Sequence, residues 1–210
     1  MPTRIKVCGI TCLEDALLAG ELGTSALGFN FYPSSPRYVA PGAARAIIER
    51  LPPFVTAVGV YANETDMDHV TAVAAEAGAR AIQIHGPQFP ETVRPPAGYL
   101  VIRAVAVGDG FKAESLAGFQ ANAFLLDAFH PTLSGGTGRP FDWGLAREAC
   151  KYATIILAGG LNPDNVGRAI QEVRPYAVDV ASGVESAPGK KDPALLRAFF
   201  AAVQEADRNL

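Results

Sequence analysis

Short, almost wholly apolar runs alternate along this chain with longer segments in which apolar residues recur every three or four positions. Apolar runs of four to six residues, bounded by glycine, proline or polar residues, are typical of parallel strands that are covered on both faces. Eight such runs predict β-strands at Arg4–Cys8, Ala26–Phe31, Val55–Val60, Ala81–His85, Leu100–Val105, Ala123–Asp127, Thr154–Ala158 and Ala177–Val180.

The segments between these strands carry helix signals. Thr11 is a candidate N-cap, Pro41 suits a first helical turn, and Gly78 suits the position after a helix end. The clearer helices are predicted at Leu13–Leu22, Gly42–Arg50, Asp66–Ala77, Leu145–Cys150, Asn165–Val173 and Ala194–Ala206, with weak short ones near Glu91 and at Lys112–Leu116.

This alternation predicts an α/β fold built as a single-domain (β/α)8 TIM barrel over residues 1–210. The chain has 210 residues, 49% of them hydrophobic, and no linker divides it. Closed barrels of this kind begin at roughly 200 residues. The competing fold is an open, doubly wound sheet, whose dinucleotide-binding form carries G-x-G-x-x-G after its first strand. Here Cys8-Gly9-Ile10-Thr11 takes that place, which favours the barrel.

Charge and cysteine usage narrow the class of protein. The net charge is −3 and no run of Lys or Arg stands out, so we expect no nucleic-acid partner and no membrane contact. No apolar stretch approaches the roughly 20 residues of a membrane span, and the first residues show no signal peptide. Three cysteines without a CxxC pair favour a cytoplasmic location. Monomer and homodimer both stay open, because no helix face indicates an interface.

Glycine-containing turns follow the last two predicted strands. Gly159 and Gly160 come after one strand, and Ser182 and Gly183 come after the next. Glycines let backbone N–H groups approach an anion, and turns at these two strand ends form the phosphate site common in such barrels. A single Gly-Gly pair would indicate only a tight turn, but two turns at these positions favour a phosphate site.

A thiol and a carboxylate end two of the predicted strands. Cys8 closes the first strand and Asp127 closes the sixth, where a barrel presents its catalytic groups. A modest lowering of the thiol pKa from about 8.5 would give a general base at neutral pH, and partial burial of the carboxyl would give a general acid. A small buried hydrophobe and a structural carboxylate are the alternatives. The glycine-rich stretch 130–138 can cover a bound ligand.

Two further side chains are candidates for ligand binding. Arg37 follows the second strand in a loop stiffened by prolines and flanked by Tyr32 and Tyr38, and a guanidinium held there can bind a carboxylate bidentately. His85 ends the fourth strand. The histidines form no cluster with metal-ligand spacing, so we expect no metal site.

With these residues assembled, the chain resembles the phosphoribosylanthranilate isomerase family of tryptophan biosynthesis. The matching segments fall in order along the chain: Lys6–Thr11 (KVCGIT), Gly28–Val39 (GFNFYPSSPRYV), Ala57–Asn63 (AVGVYAN), Ile82–Gly86 (IQIHG), Leu125–Asp127 (LLD), Gly135–Trp143 (GGTGRPFDW), Leu157–Val166 (LAGGLNPDNV) and Val178–Asp192 (VDVASGVESAPGKKD).

The resemblance implies an Amadori rearrangement of N-(5-phosphoribosyl)anthranilate that needs no cofactor. It implies that Asp127 protonates the furanose ring oxygen and that Cys8 removes the C2′ proton. It further implies that Arg37 holds the anthranilate carboxylate, and that His85 and Asp179 lie near the ribose hydroxyls. The two glycine-containing turns would hold the phosphate.

Two alternatives remain to be weighed against this function. A related barrel isomerase acts on an aminoimidazole ribotide of the histidine pathway but carries a carboxylate at the position of Cys8, so Cys8 and the Arg37 loop argue against it and against a dual-substrate enzyme. A non-catalytic sugar-phosphate-binding barrel would keep the two turns without the acid and the base.

Overall fold

Eight parallel strands close into a barrel in the computed structural model, which describes residues 1–86, 96–108, 110–128 and 142–210. Each strand pairs with its neighbour in the chain, and β1 pairs with β8 to complete the ring. The strands are β1 Arg4–Cys8, β2 Ala26–Asn30, β3 Thr56–Ala62, β4 Ala81–His85, β5 Leu100–Val107, β6 Ala123–Ala128, β7 Ile155–Leu157 and β8 Ala177–Val180.

Helices surround the barrel, and a small hairpin follows its last strand. The hairpin consists of β9 Glu185–Ala187 and antiparallel β10 Lys190–Lys191. The α-helices are α1 Leu13–Glu21, α2 Pro41–Ile48, α3 Met67–Ala77, α4 Trp143–Ala149, α5 Val166–Val173 and α6 Pro193–Arg208, and short 3-10 helices lie at Ala113–Gly118 and Ser182–Val184.

Local capping explains where several helices begin and end. The Asp66 carboxylate accepts hydrogen bonds from the backbone at the start of α3, and Asp192 does the same for α6, which satisfies N–H groups that have no partner inside a helix. Gly78 ends α3 in the left-handed conformation. The prediction that Thr11 caps α1 is wrong: Cys12 is the N-cap residue, and the Thr11 hydroxyl donates instead to the carbonyl of Gly189.

The apolar residues form two layers. The larger lies between the strands and the helices and contains fully buried side chains such as Phe29 and Phe199. The smaller fills the barrel interior, where Val58, Leu125 and Ile156 pack with several alanines. Because successive side chains of a strand point to opposite faces, membership of this inner cluster shows which residues of each strand face the barrel axis.

The eight predicted strands are confirmed, with differences at their ends. β3 and β5 run two residues further than predicted, and β2 is one residue shorter. The weak helix at Lys112–Leu116 is the 3-10 helix Ala113–Gly118, while the one predicted near Glu91 lies outside the described residues. The hairpin was not predicted, because strands of two and three residues carry no periodic pattern.

The lower end of the barrel, where the strands begin, is hollow. Alanines at the floor of the barrel leave a depression of about 660 Å³ there. This depression lies at the opposite end from the strand tips that carry the candidate catalytic groups, and Lys6 is one of the residues that line it.

Candidate active site

Four of the predicted site residues share one end of the barrel and point inward. Cys8 packs against the inner apolar cluster. His85, Asp127 and Asp179 stand an even number of residues from inward-facing Ala81, Ala123 and Ala177, so they point to the same interior. Each lies in the C-terminal half of its strand. Closure of the eight strands into a barrel therefore brings the candidate base, the candidate acid and two candidate binding residues to one end.

Cys8 lies directly beside the ammonium group of Lys6. Both side chains press on Gly28 of the neighbouring strand: a Cβ built on Gly28 would lie 2.7 Å from Sγ of Cys8 and 3.2 Å from Nζ of Lys6. The sulfur and the ammonium are thus within about 6 Å of each other. A side chain at position 28 would force the two groups apart, so glycine is required there by close approach.

The pKa of Cys8 is raised rather than lowered. Burial of the thiol is the largest cause, because the low dielectric disfavours a thiolate, while the positive charge of Lys6 acts in the opposite direction. The structure therefore does not supply the modest lowering of the thiol pKa that would by itself make Cys8 a base at neutral pH. The sequence placed the thiol at the strand tip but gave no measure of how completely the barrel desolvates it.

Lys6 and Asp179 form a buried ion pair across the seam of the barrel. Nζ of Lys6 lies 2.8 Å from Oδ1 of Asp179, and their side chains are 3% and 9% exposed. Burial opposes the charge on Lys6, but attraction to Asp179 and Cys8 outweighs it and raises the pKa of the ammonium. Lys6 therefore stays protonated at neutral pH. Asp179, which the family resemblance assigned to the ribose hydroxyls, holds this lysine.

His85 is a neutral imidazole held by its own strand. Nε2 of the ring lies 2.6 Å from Nε2 of Gln83, two residues earlier. Burial, followed by the repulsion of Lys6, lowers the pKa of His85 from its usual value to about 4. The ring is therefore uncharged at neutral pH, and its Nε2 is paired with the side-chain amide of Gln83.

Arg37 is fixed by a carboxylate that sequence reasoning missed. Glu185 of the hairpin accepts from Nε and Nη2 of the guanidinium at 2.6–3.1 Å. The arginine stem lies on Gly9, whose φ is +78° and where a Cβ would come within 2.6 Å of it. Burial opposes ionisation of Glu185, but the hydrogen bonds from Arg37 and Lys191 outweigh it and lower its pKa. The Nη1 edge makes no hydrogen bond within the described residues and is available to a carboxylate.

Lys191 joins the hairpin to the tip of β1. Its side chain is fully buried, and Nζ donates to the carbonyl of Cys8 at 2.6 Å and to Oε1 of Glu185 at 2.9 Å. A third donation reaches the carbonyl of Ala181. One ammonium thus ties together the backbone of the candidate base and the carboxylate that orients Arg37. Sequence analysis did not single out Lys191, because the contacts of its ammonium are with residues of three different segments of the chain.

The turn after β7 has the backbone shape that its glycines allow. Gly159 and Gly160 have φ values of 86° and 66°, which other residues adopt only at a cost. The side chain of Asn165 donates to the carbonyl of Gly160 and accepts from the backbone N–H of Asn162. This asparagine pair holds the turn at the start of α5.

The turn after β8 packs tightly on the turn after β7. A Cβ on Gly183 would collide with the carbonyl oxygen of Leu161, and Ser182 beside it is exposed. The structure therefore brings together the two turns that were predicted to bind one phosphate. No side chain larger than hydrogen fits between them.

The neighbourhood of Asp127 is described only in part. The residue is half-buried and stands beside Ala106 in the register of β5 and β6. The predicted covering stretch 130–138 lies outside the described residues. Among the residues that are described, no three His, Cys, Asp or Glu side chains are placed to hold a metal ion.

This arrangement defines a class of protein: a (β/α)8 barrel with a thiol and a carboxylate on its strand tips, a guanidinium held by a glutamate in a loop beside them, and two glycine-containing turns packed together after the last two strands of the barrel. The chain belongs to the N-(5'-phosphoribosyl)anthranilate isomerase family, whose model matches residues 5–202.

Known proteins similar over nearly the whole chain agree with this assignment. An N-(5'-phosphoribosyl)anthranilate isomerase from Citrifermentans bemidjiense is 47% identical over 202 residues, which cover 95% of this chain and 96% of the relative. The solved phosphoribosyl anthranilate isomerase from Thermus thermophilus is 41% identical with a TM-score of 0.85, covering 97% and 99% of the two chains. A further solved isomerase, 40% identical with a TM-score of 0.79 over 97% and 99% of the chains, is in complex with reduced 1-(o-carboxyphenylamino)-1-deoxyribulose 5-phosphate.

None of the helices in the described ranges is long and apolar enough to cross a membrane.

The contact between the two glycine turns predicts the effect of Gly183→Ala. The new methyl group must push the turn after β8 away from Leu161, so we expect lower stability and loss of the rise in Tm that we predict inorganic phosphate will cause in the wild-type protein. Gly42→Ala is the matched control, because a Cβ at this position meets nothing within 4 Å. It should keep the wild-type stability and the wild-type response of Tm to phosphate. Thermal unfolding with and without phosphate checks this, and an unchanged phosphate response in Gly183→Ala contradicts it.

The buried imidazole predicts a pH dependence of stability. Because the pKa of His85 is about 4 in the folded protein and near 6.5 in the unfolded chain, the unfolded state binds more protons between these values. The free energy of unfolding should therefore fall as the pH is lowered through this window. Urea unfolding should show a smaller fall in His85→Gln, while His69→Gln, at an exposed position, keeps the wild-type fall. Equal falls in both variants would refute the assignment.

Proposed function

We propose that this protein isomerises N-(5-phosphoribosyl)anthranilate to 1-(2-carboxyphenylamino)-1-deoxyribulose 5-phosphate in tryptophan biosynthesis. The observation that carries the proposal is the placement of Cys8 and Asp127 on inward-facing tips of two strands of one barrel, in a chain that belongs to the isomerase family. The substrate carries a carboxylate at one end and a phosphate at the other. Arg37 and the paired turns offer an anion site for each.

Asp127 is the proposed general acid. Its carboxyl protonates the ring oxygen of the ribose, the bond between C1′ and that oxygen breaks, and the anthranilate nitrogen supplies the electron pair that forms a Schiff base. The half-buried position of Asp127 supports this role, because reduced contact with water favours a protonated carboxyl.

Cys8 is the proposed general base. Its thiolate removes the proton from C2′ of the Schiff base, and the electrons move to give an enolamine, which tautomerises to the ketone. General acid and general base catalysis contribute about 10²–10⁴-fold each when the groups are well placed. No step needs a cofactor, because the substrate nitrogen supplies an electron pair when the ring opens and takes it back when the C2′ proton is removed.

The remaining residues position the substrate. Arg37 presents its Nη1 edge to the anthranilate carboxylate while Glu185 holds the opposite edge. His85 and Asp179 lie near the ribose hydroxyls. The backbone amides around Gly159, Gly160, Ser182 and Gly183 receive the phosphate.

We further propose that residues 1–210 act as one domain in the cytoplasm. Three free thiols, Cys8, Cys12 and Cys150, support a reducing compartment. Monomer and homodimer are both compatible with an active site whose named residues come from one chain.

Turnover of freshly generated phosphoribosylanthranilate, followed by the loss of anthranilate fluorescence, tests the reaction and both catalytic groups. Cys8→Ala and Asp127→Asn should each lower kcat by roughly 10²–10⁴-fold with the fold retained, because each removes one proton-transfer group. Cys12→Ser, which changes a thiol outside the barrel, should turn over normally.

Each outcome of this assay has a distinct meaning. Near-normal turnover by Cys8→Ala or by Asp127→Asn would refute the role of that residue. The folded wild-type protein could instead leave phosphoribosylanthranilate unchanged and isomerise the aminoimidazole ribotide. That result would assign it the histidine-pathway activity. Binding of sugar phosphates without any turnover would indicate a non-catalytic barrel.

Arg37→Ala should act mainly on substrate binding. Loss of a charge-assisted bidentate contact weakens binding by roughly tenfold or more, so KM should rise far more than kcat falls. Arg45→Ala on the exposed face of α2 removes the same charge elsewhere and should leave both constants unchanged. Steady-state kinetics of the wild type, Arg37→Ala and Arg45→Ala test this prediction. An unchanged KM in Arg37→Ala would overturn the proposed contact between Arg37 and the anthranilate carboxylate.

A further inference from the structure

Lys6 is a buried charged group beside the thiol, and the reaction described above does not use it. The side chain is 3% exposed and reaches up the inner wall of the barrel from two residues before Cys8. Burying an ammonium is costly unless it is paired. Because this ammonium lies against a thiol, Lys6 can have a role beyond the packing of the barrel.

We propose that Lys6, held by Asp179, is the positioning residue that stabilises the thiolate of Cys8 and so makes it a base. This inference rests on the proposed function in one respect only, the assignment of Cys8 as the base. It assigns to Lys6 no contact with the substrate.

The charged groups around Cys8 differ in what they offer its sulfur. Lys191 binds the carbonyl of Cys8 and shares its charge with Glu185, which also neutralises Arg37. Asp179 is negative and disfavours a thiolate. Lys6 is the cation placed beside Sγ itself, against the bare Cα of Gly28.

Asp179 gives the lysine its place and its protonation state. The 2.8 Å contact fixes the direction of the ammonium, and attraction to Asp179 and Cys8 keeps the pKa of Lys6 above its ordinary value despite burial. A permanently charged lysine cannot itself accept the C2′ proton. Its effect on the reaction is therefore electrostatic.

The proton balance of the cycle is consistent with this role. The thiol of Cys8 releases its proton to solvent before the reaction, and the resulting thiolate is stabilised by the adjacent ammonium. When the thiolate takes the proton from C2′, it becomes a neutral thiol, and Lys6 keeps Asp179 as its partner. Lys6 therefore faces two anions, the thiolate and Asp179, before the proton transfer, and it faces Asp179 alone afterwards.

The rate of alkylation by iodoacetamide as a function of pH measures the ionisation of Cys8 without any turnover. The measurement is made in a Cys12→Ser, Cys150→Ser background, so that Cys8 is the one thiol that reacts. Lys6→Met should move the midpoint of the alkylation profile up by about one pH unit or more. Asp179→Asn should move it down, because the opposing charge is lost.

If Lys6→Met alone does not fold, a second comparison keeps the test decisive. It sets the single variant Asp179→Asn beside the double variant that carries both Lys6→Met and Asp179→Asn. Neither protein of the pair carries an unpaired carboxylate at position 179, and they differ only at position 6. The double variant should have the higher midpoint by about one pH unit or more. Lys151→Met, at an exposed position, changes the net charge equally and should leave the midpoint unchanged.

Equal midpoints in the two members of the pair would overturn the role of Lys6 while leaving the proposed reaction untouched. A midpoint shift of the same size in Lys151→Met would also overturn it, since the effect would then be one of net charge. The base assignment is decided separately by the turnover of Cys8→Ala. The two proposals can therefore fail independently.

Discussion

Closure of the barrel between β1 and β8 is the constraint on which the rest of the structure depends. The register of these strands sets Lys6 opposite Asp179, although the two residues are 173 positions apart in the chain. Closure leaves no exposed sheet edge, and it forces the C-terminal tips of all eight strands into one ring. The ion pair lies inside this seam, so the same pairing that completes the fold also places a cation beside the candidate base.

A second set of buried charges ties the loops to that ring. Lys191 and Arg37 both bind Glu185, and Lys6 binds Asp179. Three cations thus face two carboxylates around Cys8. These positive side chains suit the site that we propose, with a thiolate and a substrate carrying a carboxylate and a phosphate, because a positively charged cleft attracts anionic ligands.

Burial shifts the pKa values of Cys8 and His85 in opposite directions, and in each case it favours the neutral form of the group. It raises the pKa of the Cys8 thiol and lowers that of the His85 imidazole. A neutral histidine is suited to hydrogen bonding with sugar hydroxyls. A neutral thiol is not yet a base, which is why the neighbouring ammonium matters for the chemistry that we propose.

The sequence alone determined the eight strands, most of the helices, and the turns at Gly159 and Gly183, because apolar periodicity and glycine act over a few residues. It also determined that Cys8 and Asp127 stand at strand tips. Only the tertiary structure decided that Glu185 clamps Arg37 and that the pKa of Cys8 is raised. Desolvation and charge pairing depend on residues brought together from distant parts of the chain, and no local pattern records which of them will meet.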